Sequence, residues 1–451
     1  MPRLPRSSRF AVSAACGIGL FFLDAGGSNH PRLTPPADTT TTAPSSAWLS
    51  LLPDGAEKRQ FIIDCTGCHQ FDAVRAHPGG RARTEAEWAD AVRRMLGFAG
   101  PSSGFPVISA AQTPEGTAAW LTRHLPRDGR LPANVRPAPS DAIREYLFPE
   151  AQDLPHDVAV DPNGRVIVTG MFSHRMYSLE PNLGIWTPVE MFAQANPRAL
   201  EIDDRGRWWV VLGGPGQIGR YDSGTWTYYD IGLYAHSVAL GRNGSVFANG
   251  HFTRNPEQIL EVTEGGQVRT HNLPTHPTLA TEGGGPIPYE IRTAPDGRLW
   301  MSELQGNRIV VLDPRTGASE AFPMPTPNGG PRRFDVDRNG VLWIPMYGAG
   351  NLVRFDPASS RFDEIPLPIK DAAPYVARVD SATGIVWIGT GAADAVFAYD
   401  PSSREFTTYG LPTNGALVRH MWVDSKRGDL WLAYGESPGK NPARIARLHY
   451  K

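Results

Sequence analysis

From residue 143 onward the chain sets apolar and polar positions in short alternating runs, and the runs repeat. VAVDPNGRVIVTG, LEIDDRGRWWVVL, VALGRNGSVFANG, IRTAPDGRLWMSE, FDVDRNGVLWIPM, ARVDSATGIVWIGT and MWVDSKRGDLWLAY each read as a strand, a turn carrying glycine, and a second strand. The turn glycines are Gly164, Gly206, Gly244, Gly297, Gly340, Gly384 and Gly428, spaced 38 to 53 residues apart. Three residues past each glycine stand Ile167, Trp209, Phe247, Trp300, Trp343, Trp387 and Trp431, side chains suited to the wedge between adjacent sheets. Each copy continues through a third strand, a turn often built on Asp-Pro, and a fourth strand. Four short strands at this period predict a seven-bladed β-propeller over 143–451. The last copy stops after its third strand, while REYLFP at 144–149 precedes the first. The count therefore predicts that REYLFP completes the last blade and leaves no open edge.

Upstream the period changes from two to about 3.6. Trp88, Val92 and Met95 recur at helical spacing behind Thr84 and Glu87, a capping-box pattern. Asp54 with Glu57 repeats that pattern before KRQFIIDC, and Thr113 with Pro114 opens a further helix. These signals predict a small all-α domain over 49–126, joined to the propeller by a linker at 127–142. Residues 28–48 are rich in Pro, Thr and Ser and read as a flexible tether. Arg3, Arg6 and Arg9, an apolar run from Phe10 to Leu23, and Ala25, Gly26 and Gly27 read as a secretory signal over 1–27. The expected location is periplasmic or secreted, with no spanning segment after cleavage and an uncleaved anchor as the alternative.

A net charge of -2 supplies no pull toward nucleic acid or anionic lipid. Cysteine changes the picture more. Of three, Cys16 lies in the expected signal, and Cys65 and Cys68 stand beside His69 in FIIDCTGCHQF. A disulfide between them would close a very short loop and restrict the unfolded chain little. C-x-x-C-H is the attachment pattern of a covalent haem c, with two thioethers and a histidine on iron. An exported compartment suits that chemistry, and a redox dithiol is the alternative. Met95 is the candidate sixth ligand, with a core role as its alternative. His77, His124 or an open site are the others. Arg75, Trp88, Val92, Arg94, Gly97, Trp120 and Leu121 complete a pattern around Cys65–His69 and Met95. This region resembles the cytochrome modules attached to quinohaemoprotein amine dehydrogenases.

In a propeller the innermost strand opens near the channel mouth. The aligned positions there are His156, Arg198, His236, Tyr289, Arg332, Tyr375 and Arg419, with His420 beside the last. They read either as a funnel for an anionic or polar ligand or as a hydrated rim. Glu303 is an acidic residue after the second strand of its blade, a candidate general base or metal ligand if it is not ion-paired. His156, His236 and Glu303 are the catalytic candidates. Arg198, Tyr289, Arg332, Tyr375 and Arg419 are the ligand-binding ones. Pro288, Ile291, Pro295, Asp296, Gly297, Leu299, Trp300 and Glu303 form a run that resembles the streptogramin B lyase family of seven-bladed propellers. That resemblance implies catalytic histidines at the ring position of the last two blades, a glutamate in the last blade and a bound Mg2+. Those positions here hold Tyr375, Arg419 and Tyr434. The leading expectation is a monomeric electron-transfer protein that meets a redox partner protein and binds a small molecule in the funnel. A magnesium-dependent carbon-oxygen lyase is the alternative, and a non-enzymatic sensor the second.

Overall fold

The computed structural model describes residues 43–127, 132–133, 135–253, 256–279, 285–436 and 443–451. The expected signal, Cys16 and most of the tether lie outside the described residues. Five short helices come first: α1 (Ser45–Leu49), α2 (Ala56–Cys65), α3 (Ala73–Ala76), α4 (Glu85–Ala99) and α5 (Pro114–His124). The Thr84–Glu87 capping box forms at the start of α4, and the Thr113 hydroxyl accepts from Gly116 N–H at the start of α5. The expected Asp54 cap does not form. Gly55 stands at that position without a side-chain cap, because the Asp54 carboxylate is drawn to Lys58 and Lys370 at 3.1 and 2.8 Å.

α1 falls inside the segment expected to be a flexible linker. Trp48 and Leu49 are fully buried, and their burial contributes on the order of 2–3 kcal/mol each. Ser46 N–H also donates to Ala392 O of the propeller at 2.8 Å.

Seven four-stranded antiparallel sheets follow, and in six of them the strands run in chain order from the inside outward. The seventh is completed as the strand count required: Ile143–Leu147 pairs with Arg444–His449, from Ile143 opposite Leu448 to Leu147 opposite Arg444. The innermost strands are buried almost throughout, whereas the outermost, such as Ile185–Val189, are largely exposed. Trp300, Trp387, Trp431 and Phe247 fill the wedges between sheets. The innermost strands of six blades carry a register shift, between Pro155 and Val158, Pro197 and Leu200, Ala235 and Val238, Pro288 and Ile291, Pro374 and Val376, and Val418 and His420. Each bulge falls on a ring residue, where an extra residue in the strand re-aims the side chain.

The helical region does not stand apart from the propeller, as the domain reading implied. Both belong to one compact unit, and one apolar core runs from Trp48, Phe61, Ile62 and Ile63 into Leu304, Tyr347, Tyr375 and Leu417. α2 lies so close to the propeller that a Cβ on Gly330 or Gly348 would stand 2.7 or 2.9 Å from Ile63. The helices thereby cover the mouth of the channel. No helix among the described residues is long and apolar enough to cross a membrane.

Candidate functional site

Cys65 closes α2, the loop from there to α3 holds Cys68 and His69, and propeller residues grip it from several sides. Arg419 donates to Gly67 O at 3.2 Å and to Cys68 O at 2.7 Å. Tyr347 Oη donates to Thr66 O at 2.8 Å. Gln70 N–H donates to Glu436 at 2.9 Å, and Gln70 Nε2 to Asp394 at 3.1 Å and Ala416 O at 2.9 Å. Arg75 completes the grip with a 3.1 Å ion pair to Glu436. The Arg332 guanidinium packs on Gly67, the second of the two residues between the cysteines, so closely that a Cβ there would stand 2.5 Å from it and displace it.

Beside this loop lies a cavity of about 630 Å3, within the range of small-molecule and cofactor sites. Cys65, Cys68, His69 and Met95 all line it. Phe98, Phe105, Ile108, Met171 and Phe172 make much of the rest of its wall. Phe98 is 72% exposed and Phe172 43%, large apolar surface facing an open space. Both thiols are free. Burial, with Asp64 and Cys68 beside it, pushes the Cys65 thiol well up, which opposes the thiolate a redox dithiol needs. His69 Nδ1–H donates to Gln70 O at 3.1 Å, leaving Nε2 as an unprotonated acceptor, the form in which imidazole binds a metal. Burial, with Arg75 nearby, lowers the His69 pKa and keeps the ring neutral. The donor set and the apolar wall fit a covalent haem. His77 Nε2–H instead donates to Pro126 O at 3.0 Å and its ring packs on Trp48 at 4.8 Å, while His124 packs on Trp120. Neither lines the cavity.

The seven ring residues are brought together beneath the loop. They line a second, smaller chamber of about 100 Å3, whose wall includes Gly67, Cys68 and His251. Asp64, Cys68, Phe105, Met171 and Arg198 are common to both spaces. Arg198, Arg332 and Arg419 are buried here, and among the described residues none has a carboxylate within ion-pair distance. Arg332 lies over Tyr347, Tyr375 and Tyr289 at 3.9, 4.3 and 5.0 Å, and Arg198 over Tyr234 at 4.4 Å. Burial pulls the Arg198 pKa down to about 9. Tyr289 and Tyr375 share a very short hydroxyl contact. Burial opposes ionisation of Tyr375, but Arg332, Arg419 and Arg333 outweigh it and hold its phenol below the usual range. Burial raises the Tyr289 phenol.

One layer deeper the charges are matched. Arg333 pairs with Asp157 at 2.9 Å, Arg378 with Glu290 at 3.0 Å, and Arg292 with Glu290 and Glu201 at 2.7 and 2.6 Å. His420 belongs to this layer, 3.4 Å from Asp157. Sequence reasoning missed the layer, although a signal existed: the residue after the ring position is charged or histidine in PHD, PYE, RRF and VRH.

Glu303 does not join the ring. Its Oε2 meets Arg308 Nε at 2.6 Å, and Arg308 reaches on to Glu257 at 3.4 Å. Burial pushes the Glu303 pKa up to about 8 against the pull of Arg308. No group of three or more His, Cys, Asp or Glu among the described residues is placed to hold a metal ion. Tyr434 is engaged by Glu145 of the closing strand.

Residues 277–439 match the virginiamycin B lyase family. A streptogramin B lyase structure superposes with TM-score 0.59 at 20% identity, covering 67% of this chain and 96% of that one. A catalytically inactive virginiamycin B lyase from Staphylococcus aureus with quinupristin gives TM-score 0.60 at 20% identity, covering 68% and 99%. YCF48 bound to a D1 peptide gives 0.55 at 13%, covering 70% and 99%. No curated protein matches the chain. At these identities the likeness establishes the propeller fold, which hosts many unrelated activities.

Proposed function

We propose that the chain is an exported monohaem c-type cytochrome built onto a lyase-like propeller, exchanging electrons with a redox partner protein. One observation carries the reading: Cys65, Cys68, His69 and Met95, chosen from spacing alone, line a single apolar cavity. A haem bound there supplies one-electron exchange at iron. Cys65 and Cys68 would anchor it, and His69 Nε2 would hold the iron, its ring oriented by the Gln70 carbonyl. Met95 is the sixth ligand in this reading, which suits electron transfer better than ligand turnover. Glu436, Arg419 and Tyr347 fix the loop so that the donors need not reorganise.

The test is the full chain exported from a host that matures c-type cytochromes. Colour that stays with the protein in acid acetone, and is lost in Cys65→Ala with Cys68→Ala, is expected. Met95→Ala should remove the weak near-infrared sulfur-to-iron band. A colourless protein carrying a Cys65–Cys68 disulfide overturns the reading.

A lyase reading rests on the match over 277–439. Against it stand Tyr375, Arg419 and Tyr434 where the resemblance calls for two histidines and a glutamate, and helices over the channel mouth. Losing a general base removes orders of magnitude from the rate. No magnesium-dependent ring opening of a streptogramin B is therefore expected, and opening abolished by Glu303→Gln would restore the lyase.

A further inference from the structure

The chamber under the helices has two unlike walls. On one side are Arg198, Arg332 and Arg419, three buried guanidinium groups. Their hydrogen-bond partners are not carboxylates: Asn196 Oδ1 for Arg198 at 3.0 Å, Tyr289 Oη for Arg332 at 3.0 Å, and for Arg419 three backbone carbonyls and Tyr375 Oη at 3.4 Å. Arg332 Nε is buried with no hydrogen-bond partner among the described residues. The carboxylate that also lines the space, Asp64, is already held by Ser109, Gln112, Gln60 and Gln305 and pairs with none of the three.

On the other side are His156, His236 and His251. His236 Nδ1 lies 2.8 Å from Tyr289 O, and His251 Nδ1 lies 2.7 Å from Pro288 O. A carbonyl only accepts, so each Nδ1 carries the proton and each Nε2 is left as an acceptor. His156 Nδ1 lies between Asp157 Oδ1 at 2.8 Å and Arg333 Nη2 at 3.2 Å, an acceptor and a donor, so the proton-free nitrogens of this wall are those of His236 and His251. Burial holds all three rings neutral, His156 with a pKa of about 4, His251 of about 3, and His236 well below its usual value. An oxyanion bare of hydrogen would satisfy the arginines and face proton-free nitrogens opposite. A ligand with a negative oxygen at one end and a hydroxyl at the other satisfies both walls.

We propose that the chamber is a binding site for a small hydroxylated oxyanion, its charged oxygens on Arg198, Arg332 and Arg419 and its hydroxyl donating to the imidazoles. The volume of about 100 Å3 lies well below the roughly 300–1,000 Å3 of sites for drug-sized ligands, which limits the ligand to a small one. This goes beyond the haem reading and does not rest on it.

The experiment is calorimetric titration of the full chain, haem-loaded and as Cys65→Ala with Cys68→Ala, using two probe pairs: glycolate against acetate, and phosphate against sulfate. The hydroxylated member of each pair should bind about tenfold tighter or more, the worth of a charge-assisted or otherwise buried hydrogen bond. Arg332→Gln should weaken both members about tenfold or more, and Arg332→Lys, which keeps the charge but loses the fork, should fall between. His236→Phe should collapse the ratio within each pair. Arg354→Gln, on the propeller surface, should change nothing. Equal affinity within the pairs, or no saturable binding in either protein, overturns the proposal. Binding in the thiol-free protein alone also overturns it, since the attached group then fills the space, and leaves the haem reading standing. Selective binding by a protein that never acquires haem sustains it and sinks the haem reading instead.

Discussion

Two layers of arginine sit a residue apart in the channel, and they do opposite things. Below, Arg292, Arg333 and Arg378 face Asp157, Glu201 and Glu290, and charge cancels within the layer. Above, Arg198, Arg332 and Arg419 face tyrosines, carbonyls and neutral imidazoles, and charge does not cancel. Arg332 and Arg333 are adjacent in the chain yet belong to different layers. The lower layer is a plug that holds the innermost strands together. The upper layer carries surplus positive charge into a cavity, which lowers stability and creates affinity.

The sharpest way to break this contrast is to remove one arginine from each layer. Arg333→Ala leaves Asp157 with an uncompensated buried charge and should cost about 3–5 kcal/mol in chemical denaturation. Arg332→Gln relieves repulsion while losing stacking, and should cost roughly 1 kcal/mol or less. Equal losses would mean that the layers are one network.

Acid should separate the layers next. His156 and His251 have folded pKa values below the 6.5 of the unfolded chain, so between pH 6.5 and about 4 the unfolded state binds more protons. Stability must then fall as pH falls, by up to roughly 1.4 kcal/mol per pH unit per imidazole. Asp157 is burdened by burial but held well below its usual pKa by Arg333 and His420. Its contribution is present above pH 3.8 and is lost only below that. Melting temperature should decline as pH falls from about 6.5 and more steeply below 3.8, and His251→Gln should lessen the decline that begins at 6.5.

Smaller effects test the lid over the chamber. Glu436→Gln loses the Arg75 pair and weakens the Gln70 contact, and should cost about 1.5–3 kcal/mol or less. Its signature is faster amide exchange confined to 65–76. Asp54→Asn removes a largely exposed carboxylate from two lysines and should cost about 0.5 kcal/mol at most. A larger loss would mean that this edge of the helical region also helps to seat it.

The blade repeat was legible because strands, turns and wedge aromatics recur locally at a fixed period. Even the closing strand could be counted out from its missing partner. Met95, named from the sequence as the candidate sixth ligand, lines the same cavity as Cys65, Cys68 and His69. What lay hidden depends on separation in the chain. Glu436 meets Gln70 across 366 residues, and no local pattern marks it. The same holds for Tyr347 under Thr66 and for Ile63 against Gly330. Reading 28–48 as a uniform tether missed α1, because Trp48 and Leu49 have a helical place only once the propeller offers a cleft. The bulges escaped notice because they alter the direction of ring residues without altering their composition.

The wide separation between the thiol loop and its clamps also sets a clock. Residues 65–70 leave the ribosome first, while Arg419 and Glu436, which fasten them, leave near the end. At about 5–20 residues per second that interval lasts roughly 20–70 seconds. Through all of it the ring cannot shut, since Ile143–Leu147 must wait for Arg444–His449. Until the last blade arrives, the loop that carries Cys68 and His69 has neither the Arg419 nor the Glu436 contact to hold it in place.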